Sequence, residues 1–462
     1  MIEVVSRQNQ KIAILGLGVS GLASAKALRK SGAKVTVWDD NLASRDRAVR
    51  EGLDVVELTE PHISTLDALL ASPGIPLTIN RHPAIERAKA LACPILNDIE
   101  LLAENVGETH LIGITGTNGK STTTELISHI LEKNKRPCEA GGNLGRPVLE
   151  FELPKKNQAY IIELSSFQLE LTKQAAFDIA VLLNIRPDHL DRHGTMEAYV
   201  SAKMRIFKKN RSGKKGIAII GVDDIDSRGI FDILKGNKNW NVIPVSVLRE
   251  LTNGVFVKKG VILDASQGET DRICDLSRFP NLRGKHNHHN AACAYLAAKY
   301  SGVPKNIIVN SFETFHGLEH RLELVTSLLD VEVINDSKAT NIAATNTALS
   351  CFNNVYWIAG GRSKGENFSD LLPYAASVNH AFLIGEASES LSEALTPTVS
   401  NTVCENLENA TRKAIETAKK DPQPATVLFS PACSSFDQFQ NFSSRGREFK
   451  RITRETLEES LD

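Results

Sequence analysis

The sequence predicts an α/β protein made of three consecutive α/β domains with parallel sheets. Three observations lead there. Short runs of aliphatic and β-branched residues recur along the chain: KIAIL, KVTVW, HLIGIT, YIIEL, IAVLLNI, VEVIN, NVYWIAGG, HAFLIG and TVLF. Runs of this length, bounded by glycine and polar residues, read as buried strands. Longer amphipathic stretches lie between them, and such alternation builds doubly wound layers. Polar residues able to do chemistry follow the C-terminal end of one strand after another, where open parallel sheets hold their ligands.

The chain has 462 residues. At roughly 100–200 residues per domain that leaves room for about two to four. The sequence divides into a first block at 1–99, a second at 100–306 and a third at 307–462. There is no internal repeat and no low-complexity tract. The residues are 42% hydrophobic and 24% charged, as in an ordinary globular protein. A net charge of −1 gives no broad basic surface for nucleic acid or an anionic membrane, though it permits local sites for small anions. The seven cysteines are scattered and form no CxxC, which argues against a zinc ribbon or a disulfide framework. The apolar run Ile12 to Leu15 is too short for a signal peptide core or a membrane span. A reducing, cytoplasmic location and a monomer are expected.

The first block opens with a strand and then Gly16-Leu17-Gly18-Val19-Ser20-Gly21, a G-x-G-x-x-G turn into a helix. Asp39 ends the next strand. Glycines let the backbone approach a diphosphate, and the helix N-terminus favours its charge. Taken alone, the motif fits NAD, another diphosphate such as a nucleotide sugar, or a bare tight turn. Ser72, Pro73 and Gly74 form another small-residue loop after a strand, and face the same ligand in this reading.

In the second block, Gly113 to Thr124 reads GITGTNGKSTTT. It departs from the general phosphate-loop pattern G-x-x-x-x-G-K-[ST], because Ile114 stands where the first glycine belongs. The chemistry is still that of a phosphate loop. Gly116 and Gly119 free the backbone to wrap phosphate oxygens, with Thr117 and Asn118 between them. Lys120 supplies a point charge, and Ser121 or Thr122, followed by Thr123, offers a hydroxyl for Mg²⁺. ATP is expected over GTP, since no separate guanine motif is present.

A dinucleotide-type domain followed by an ATP loop is no dehydrogenase layout. Thr115 to Ser121, T-G-T-N-G-K-S, resembles the loop of the Mur ligase family, which builds the peptide of bacterial cell-wall precursors. The resemblance covers nearly the whole chain. It implies a Rossmann-like UDP-binding domain, a central P-loop-type ATPase domain and a C-terminal Rossmann-like domain for the incoming amino acid. The first glycine motif, with Gly18, Val19, Ser20, Asp39, Ser72, Pro73 and Gly74, is then assigned to a UDP-sugar.

Further residues take roles from the same resemblance. Glu163 in IIELSS and His189 in the D-H-L-D-R-H-G stretch match family residues that bind magnesium. Lys203, which pattern alone places on the exposed side of a helix, matches a lysine that CO₂ carbamylates. That modification turns a cation into an oxygen ligand for a second Mg²⁺. Asn143 in GGNLG is similar to a residue beside the muramoyl substrate, which His189 also adjoins. Asn287 and Asn290 match the nucleotide site; a chelate by the neighbouring His286, His288 and His289 is not expected, since adjacent helical residues point apart. Arg321 matches an arginine that contacts ATP phosphate, and Asp336 and Lys338 match the nucleotide and phosphoryl site. Thr340, Lys364, Ser435 and Phe442 match positions around D-glutamate, and INDSKATN and FSPACSSFDQFQNF resemble the D-glutamate-adding branch. The resemblance thus implies an ADP-forming ligase acting on UDP-N-acetylmuramoyl-L-alanine, D-glutamate and ATP through an acyl phosphate. The alternatives are a folylpolyglutamate synthase-like ligase, a dinucleotide-dependent oxidoreductase, or a nucleotide-binding regulator without turnover.

Overall fold

The computed structural model describes residues 1–208, 215–328 and 330–459. They hold three sheets. In the first, β1 (Lys11–Leu15), β2 (Lys34–Trp38), β3 (Asp54–Val55), β4 (Ala68–Ala71) and β5 (Ile95–Leu96) are all parallel, in the order β3-β2-β1-β4-β5. Strand order reverses between β1 and β4, and such a switch point opens a crevice at the strands' C-terminal ends.

The middle sheet contains β6 (His110–Thr115), β7 (Cys138–Gly142), β8 (Ala159–Glu163), β9 (Ile179–Leu182), β10 (Gly216–Gly221), β11 (Trp240–Ser246), β12 (Val255–Lys258), β13 (Val261–Gln267) and β14 (Glu269–Asp275). Their order is β14-β13-β12-β11-β10-β9-β6-β8-β7, parallel up to β12 and antiparallel beyond it. Every residue of β8 and β9 is buried, as strands covered on both faces require. The third sheet has β15 (Glu323–Leu328), β16 (Val331–Asn335), β17 (Val355–Gly360), β18 (Val378–Ile384), β19 (Asn401–Val403) and β20 (Ala425–Phe429). It runs β15-β16-β20-β17-β18-β19, with only β15 antiparallel.

The described chain forms two compact units. One is 1–276 with 285–313 and holds the first two sheets; the other is 277–284 with 314–462 and holds the third. Within the first unit, one apolar cluster runs from Val4, Leu28 and Val148 to Tyr160, Leu182 and Ala218, so the two sheets share a core. Polar contacts add direction. Asn97 caps the helix Asp98–Asn105 and donates from Nδ2 to the Gln168 carbonyl at 2.7 Å. Glu100 accepts the backbone N–H groups of Lys173, Gln174 and Ala175 at 2.8–3.0 Å. In the second unit the core lies on both faces of the sheet, around Trp357, Leu383 and Leu428 on one side and Phe429, Phe449 and Ile415 on the other.

Candidate active site

The loops after β1 and β4 form the first part of the site. Gly16 has φ +91°, and the Ser72 hydroxyl donates to its carbonyl at 2.7 Å. A Cβ on Gly21 would collide with that same carbonyl, which is why the helix must start on small residues. Asp39 serves the turn itself: its two oxygens accept Leu17 N–H at 2.6 Å and Asn41 N–H at 2.8 Å. The helix Val19–Lys30 begins at Gly18 with no side-chain cap, and nothing lies within 4 Å of where Gly18 would carry a Cβ. Its first turn therefore has no side-chain acceptor at the N-cap, the arrangement that suits an anion.

At the second sheet, the loop after β6 has the same character. Gly119, at φ +87°, opens the helix Lys120–Lys133 without a side-chain cap. By contrast, Asn97, Ser165, Thr195 and Asn441 all cap their helices with a side chain. Lys120 Nζ donates to the carbonyls of Gly116 and Thr117, each at 2.9 Å. Asn118 and Asn184 exchange hydrogen bonds, Asn118 N to Asn184 Oδ1 at 2.9 Å and Asn184 Nδ2 to the Asn118 carbonyl at 3.1 Å. Ser121 and Thr122 stand half-buried on the first turn, and Thr123 is buried with its hydroxyl donating to the Gly119 carbonyl. A Cβ on Gly119 would collide with Asn290 Oδ1, so the asparagine sits against the loop; Asn290 Nδ2 donates to Asn287 Oδ1 at 3.3 Å.

Three more predicted residues gather at this edge. Glu163, only 2% exposed, accepts Asn143 Nδ2 at 2.8 Å, while Asn143 N donates to the Glu163 carbonyl. His189 has a left-handed φ of +53° and a half-exposed ring, 4.8 Å from Phe167 and 3.4 Å from Asp188 Oδ2. Such strain at a non-glycine residue is a feature of functional sites. Lys203 corrects the expectation of an exposed helical lysine: it is 1% exposed, donates to the Gly116 carbonyl at 2.9 Å and lies 4.7 Å from the Tyr199 ring. Burial, then the nearby Lys120 charge, pushes its amine down to about 7. The helix Met196–Met204 turns this face inward because Tyr199 and Ala202 pack there too.

Among the described residues, no group of three or more His, Cys, Asp and Glu converges as a metal cluster. Ser121 and Glu163 offer the oxygens that a hard cation such as Mg²⁺ prefers, with waters or phosphates completing its shell, whereas the His189 imidazole is a nitrogen donor and a less usual ligand for it. His193 is set apart: its Nε2 lies 2.9 Å from the Ser166 hydroxyl, and burial pushes its ring down to about 4, so it stays neutral.

In the second unit, the loops after β16, β17 and β20 carry the remaining candidates. Asp336 is buried, accepting Ser430 Oγ at 2.9 Å and Leu322 N–H at 3.2 Å, and burial pushes it up to about 7 against the pull of Arg321. Lys338 Nζ lies 3.9 Å from the centre of the Phe442 ring. Thr340 and Phe442 are half-buried, Ser435 is buried and Lys364 is exposed. Arg445, which no motif singles out, is 1% exposed and donates to the Ser337 hydroxyl and to the carbonyls of Ser337, Cys433 and Ser434 at 3.0–3.2 Å. It ties together the two loops that bear Lys338 and Ser435. In sequence it looks like any cation of the charged helix Phe442–Glu458.

A lysine-bearing phosphate loop, a buried carboxylate and a desolvated lysine at one sheet edge define a nucleotide-using phosphoryl-transfer enzyme. Family comparisons narrow the class. Residues 10–97 match the Mur ligase MurD-like N-terminal domain, 114–298 the Mur ligase middle domain, and 320–433 the Mur ligase glutamate ligase domain. The UDP-N-acetylmuramoylalanine–D-glutamate ligase of Caulobacter sp. (strain K31) is 43% identical over 457 residues, 97% of either chain. The enzyme of that name from Rhodospirillum rubrum is 42% identical over 98% of this chain and 96% of its own. In fold, the chain is similar to the UDP-N-acetylmuramate–alanine ligase of Thermotoga maritima, with TM-score 0.57 and 16% identity over 97% of this chain and 100% of that one. It is likewise similar to MurF ligase from Thermotoga maritima in complex with ADP, with TM-score 0.58 and 16% identity over the full length of both. The chain belongs to the Mur ligase family.

Proposed function

We propose that the protein is the ADP-forming ligase that adds D-glutamate to UDP-N-acetylmuramoyl-L-alanine in peptidoglycan precursor synthesis. The observation that carries this reading is the pair of D-glutamate ligases at 42–43% identity over almost the entire chain. The site's chemistry supports it. A carboxylate is a poor electrophile because its oxygen is a poor leaving group. Attack of the substrate's terminal carboxylate on the ATP γ-phosphate gives an acyl phosphate and ADP. The D-glutamate amine then attacks the acyl carbon, and phosphate leaves.

In this account the uncapped helix at Gly18, Val19 and Ser20, with Ser72, Pro73 and Gly74, holds the UDP diphosphate. Asp39 is assigned to the same UDP-sugar site and also braces the glycine turn. The loop Gly116 to Thr123 wraps the ATP phosphates, and Lys120 neutralises charge as it develops on them. Asn287 and Asn290 are assigned to adenine, and Arg321, Asp336 and Lys338 to the nucleotide and phosphoryl groups. Ser121, Glu163 and His189 would hold Mg²⁺, and Lys203 would hold a second ion once carbamylated; the metal supplies charge neutralisation at the phosphates. Asn143 orients Glu163 and adjoins the muramoyl group. Thr340, Lys364, Ser435 and Phe442 are assigned to D-glutamate, with the fixed charge of Arg445 favouring an amino acid that carries two carboxylates. The domains are proposed at 1–99, 100–306 and 307–462, although the last boundary falls inside the helix Lys305–Glu313, which belongs to the first compact unit; the enzyme is read as a cytoplasmic monomer. Among the described residues, no helix is long and apolar enough to cross a membrane.

Phosphate release under defined substrates tests the reading. Release is expected only when ATP, UDP-N-acetylmuramoyl-L-alanine and D-glutamate are all present. Release with L-glutamate and folate instead, or with neither pair, would sink it.

A further inference from the structure

One side chain from the segment after β9 holds the loop after β4. Ser72 to Ile75 form a turn, closed by Ile75 N–H to the Ser72 carbonyl at 3.0 Å. Pro73-Gly74 at the two central positions would suit a type II turn, which needs a left-handed φ at the glycine. Gly74 does not adopt one. The two common turn types differ by a flip of the central peptide, and here the Arg192 guanidinium holds that peptide from one side. Its Nη2 donates to the Pro73 carbonyl at 3.3 Å and to the Ile75 carbonyl, and its Nη1 donates to the Gly74 carbonyl at 3.1 Å. A trans peptide points its C=O and N–H in opposite directions. With the Pro73 carbonyl turned to Arg192, the Gly74 N–H faces away from it. Gly74 is exposed, and no atom lies within 4 Å of where it would carry a Cβ.

Arg192 is itself fixed in place. Its guanidinium stacks 4.6 Å from the Phe167 ring, which lies against His189. Thr78 Oγ1 donates back to the Arg192 carbonyl at 3.3 Å. Gly194, at φ +83°, packs so closely on Ile79 that a Cβ would sit 2.6 Å from its Cδ1. Burying an arginine to serve three carbonyls of a surface loop is costly unless that loop must keep one shape. The same loop meets the glycine turn, because a Cβ on Gly16 would sit 2.9 Å from Ser72 Cβ and 3.2 Å from Ile75 Cδ1.

We propose that Arg192 is a positioning residue for the nucleotide-sugar substrate: it selects the Pro73–Gly74 peptide orientation that presents the Gly74 N–H to the diphosphate, and ties that loop to the His189 segment. This rests on the reading of the crevice as the UDP-sugar site. Arg192→Lys keeps the charge, but a single ammonium cannot reach three carbonyls in a fixed fork. Both Arg192→Lys and Arg192→Ala are expected to raise KM for UDP-N-acetylmuramoyl-L-alanine by about ten- to a hundredfold. KM for ATP should stay within about twofold and kcat should fall less than KM rises, the pattern of lost ground-state binding. In the free protein, the Ile75 amide should exchange faster in Arg192→Ala than in the wild type. Equal movement of both KM values in step with lost thermal stability, or no movement of either, overturns the proposal. Should the wild type not turn over this nucleotide sugar, the functional reading fails separately; amide exchange then decides on Arg192 alone, and an unchanged Ile75 rate overturns its role.

Discussion

A free lysine amine holds its proton to about pH 10.4, so only about one in a thousand is neutral near pH 7.4. Lys203, pushed down to about 7 by burial and by Lys120, is neutral in a large share of molecules at that pH. CO₂ reacts with the neutral amine, and the carbamate is anionic, so modification exchanges a buried like-charge conflict with Lys120 for an attraction. The folded value lies below the unfolded one. Between about pH 7 and 10.5 the unfolded chain therefore binds the extra proton, and the folded state gains stability as pH rises. In CO₂-free buffer, the wild type should gain stability relative to Lys203→Met from pH 7 to 9.5 in denaturant titrations; parallel curves would count against the shift. Lys203→Ala should lose activity and regain part of it with a short-chain carboxylic acid, whereas a fully active variant would remove the residue from the mechanism. Lys203 also marks where sequence pattern stops. Its helix has no strong apolar stripe to show which face turns inward, and only the family resemblance drew attention to it. Arg445 and Arg192 were hidden in the same way, because a charged residue in a charged stretch carries no sign that its partners are backbone carbonyls.

At the scale of elements, what was legible followed burial. Most strands that carry loops of the site are short apolar runs covered on both faces and were readable; β7, CEAGG, which leads to Asn143, is only half-buried over its first three residues and was not. The antiparallel extension was not: β14 is exposed over its first four residues and so has no apolar run to read. The glycine turns were readable as strand-to-helix turns, but not their partners. Asp39 was read as a ligand contact, and nothing in its position announced that its carboxylate also braces the turn through Leu17 and Asn41 N–H. Asn97 and Glu100, which join the first sheet's last helix to the loop before β9, sit in an ordinary acidic helix start. Glu100 is 4% exposed and satisfies three consecutive N–H groups. Glu100→Ala strands those donors and should cost about 2–4 kcal/mol in urea unfolding. A loss below about 0.5 kcal/mol would show that water replaces the carboxylate and that the clamp is not structural.

For the molecule as a whole, strand order decides what meets. The glycine turn and the Ser72 loop adjoin only because β1 and β4 are neighbours at a switch point. Likewise β6, β8 and β9 are adjacent, which gathers the phosphate loop, Glu163 and His189 at one edge. In the second unit β20 lies between β16 and β17, bringing together the loops of Asp336, Ser435 and Lys364. One sequence carries no direct record of strand order, so this assembly was legible only through the motif's likeness to a known family. The reaction proposed for the protein is activation of a substrate carboxylate by ATP, followed by amide formation. It is tested most directly with UDP-N-acetylmuramoyl-L-alanine labelled with ¹⁸O in its terminal carboxylate. Turnover with ATP and D-glutamate should place one labelled oxygen in the released phosphate, detected by ³¹P NMR or mass spectrometry; phosphate formed without the label would contradict the claim.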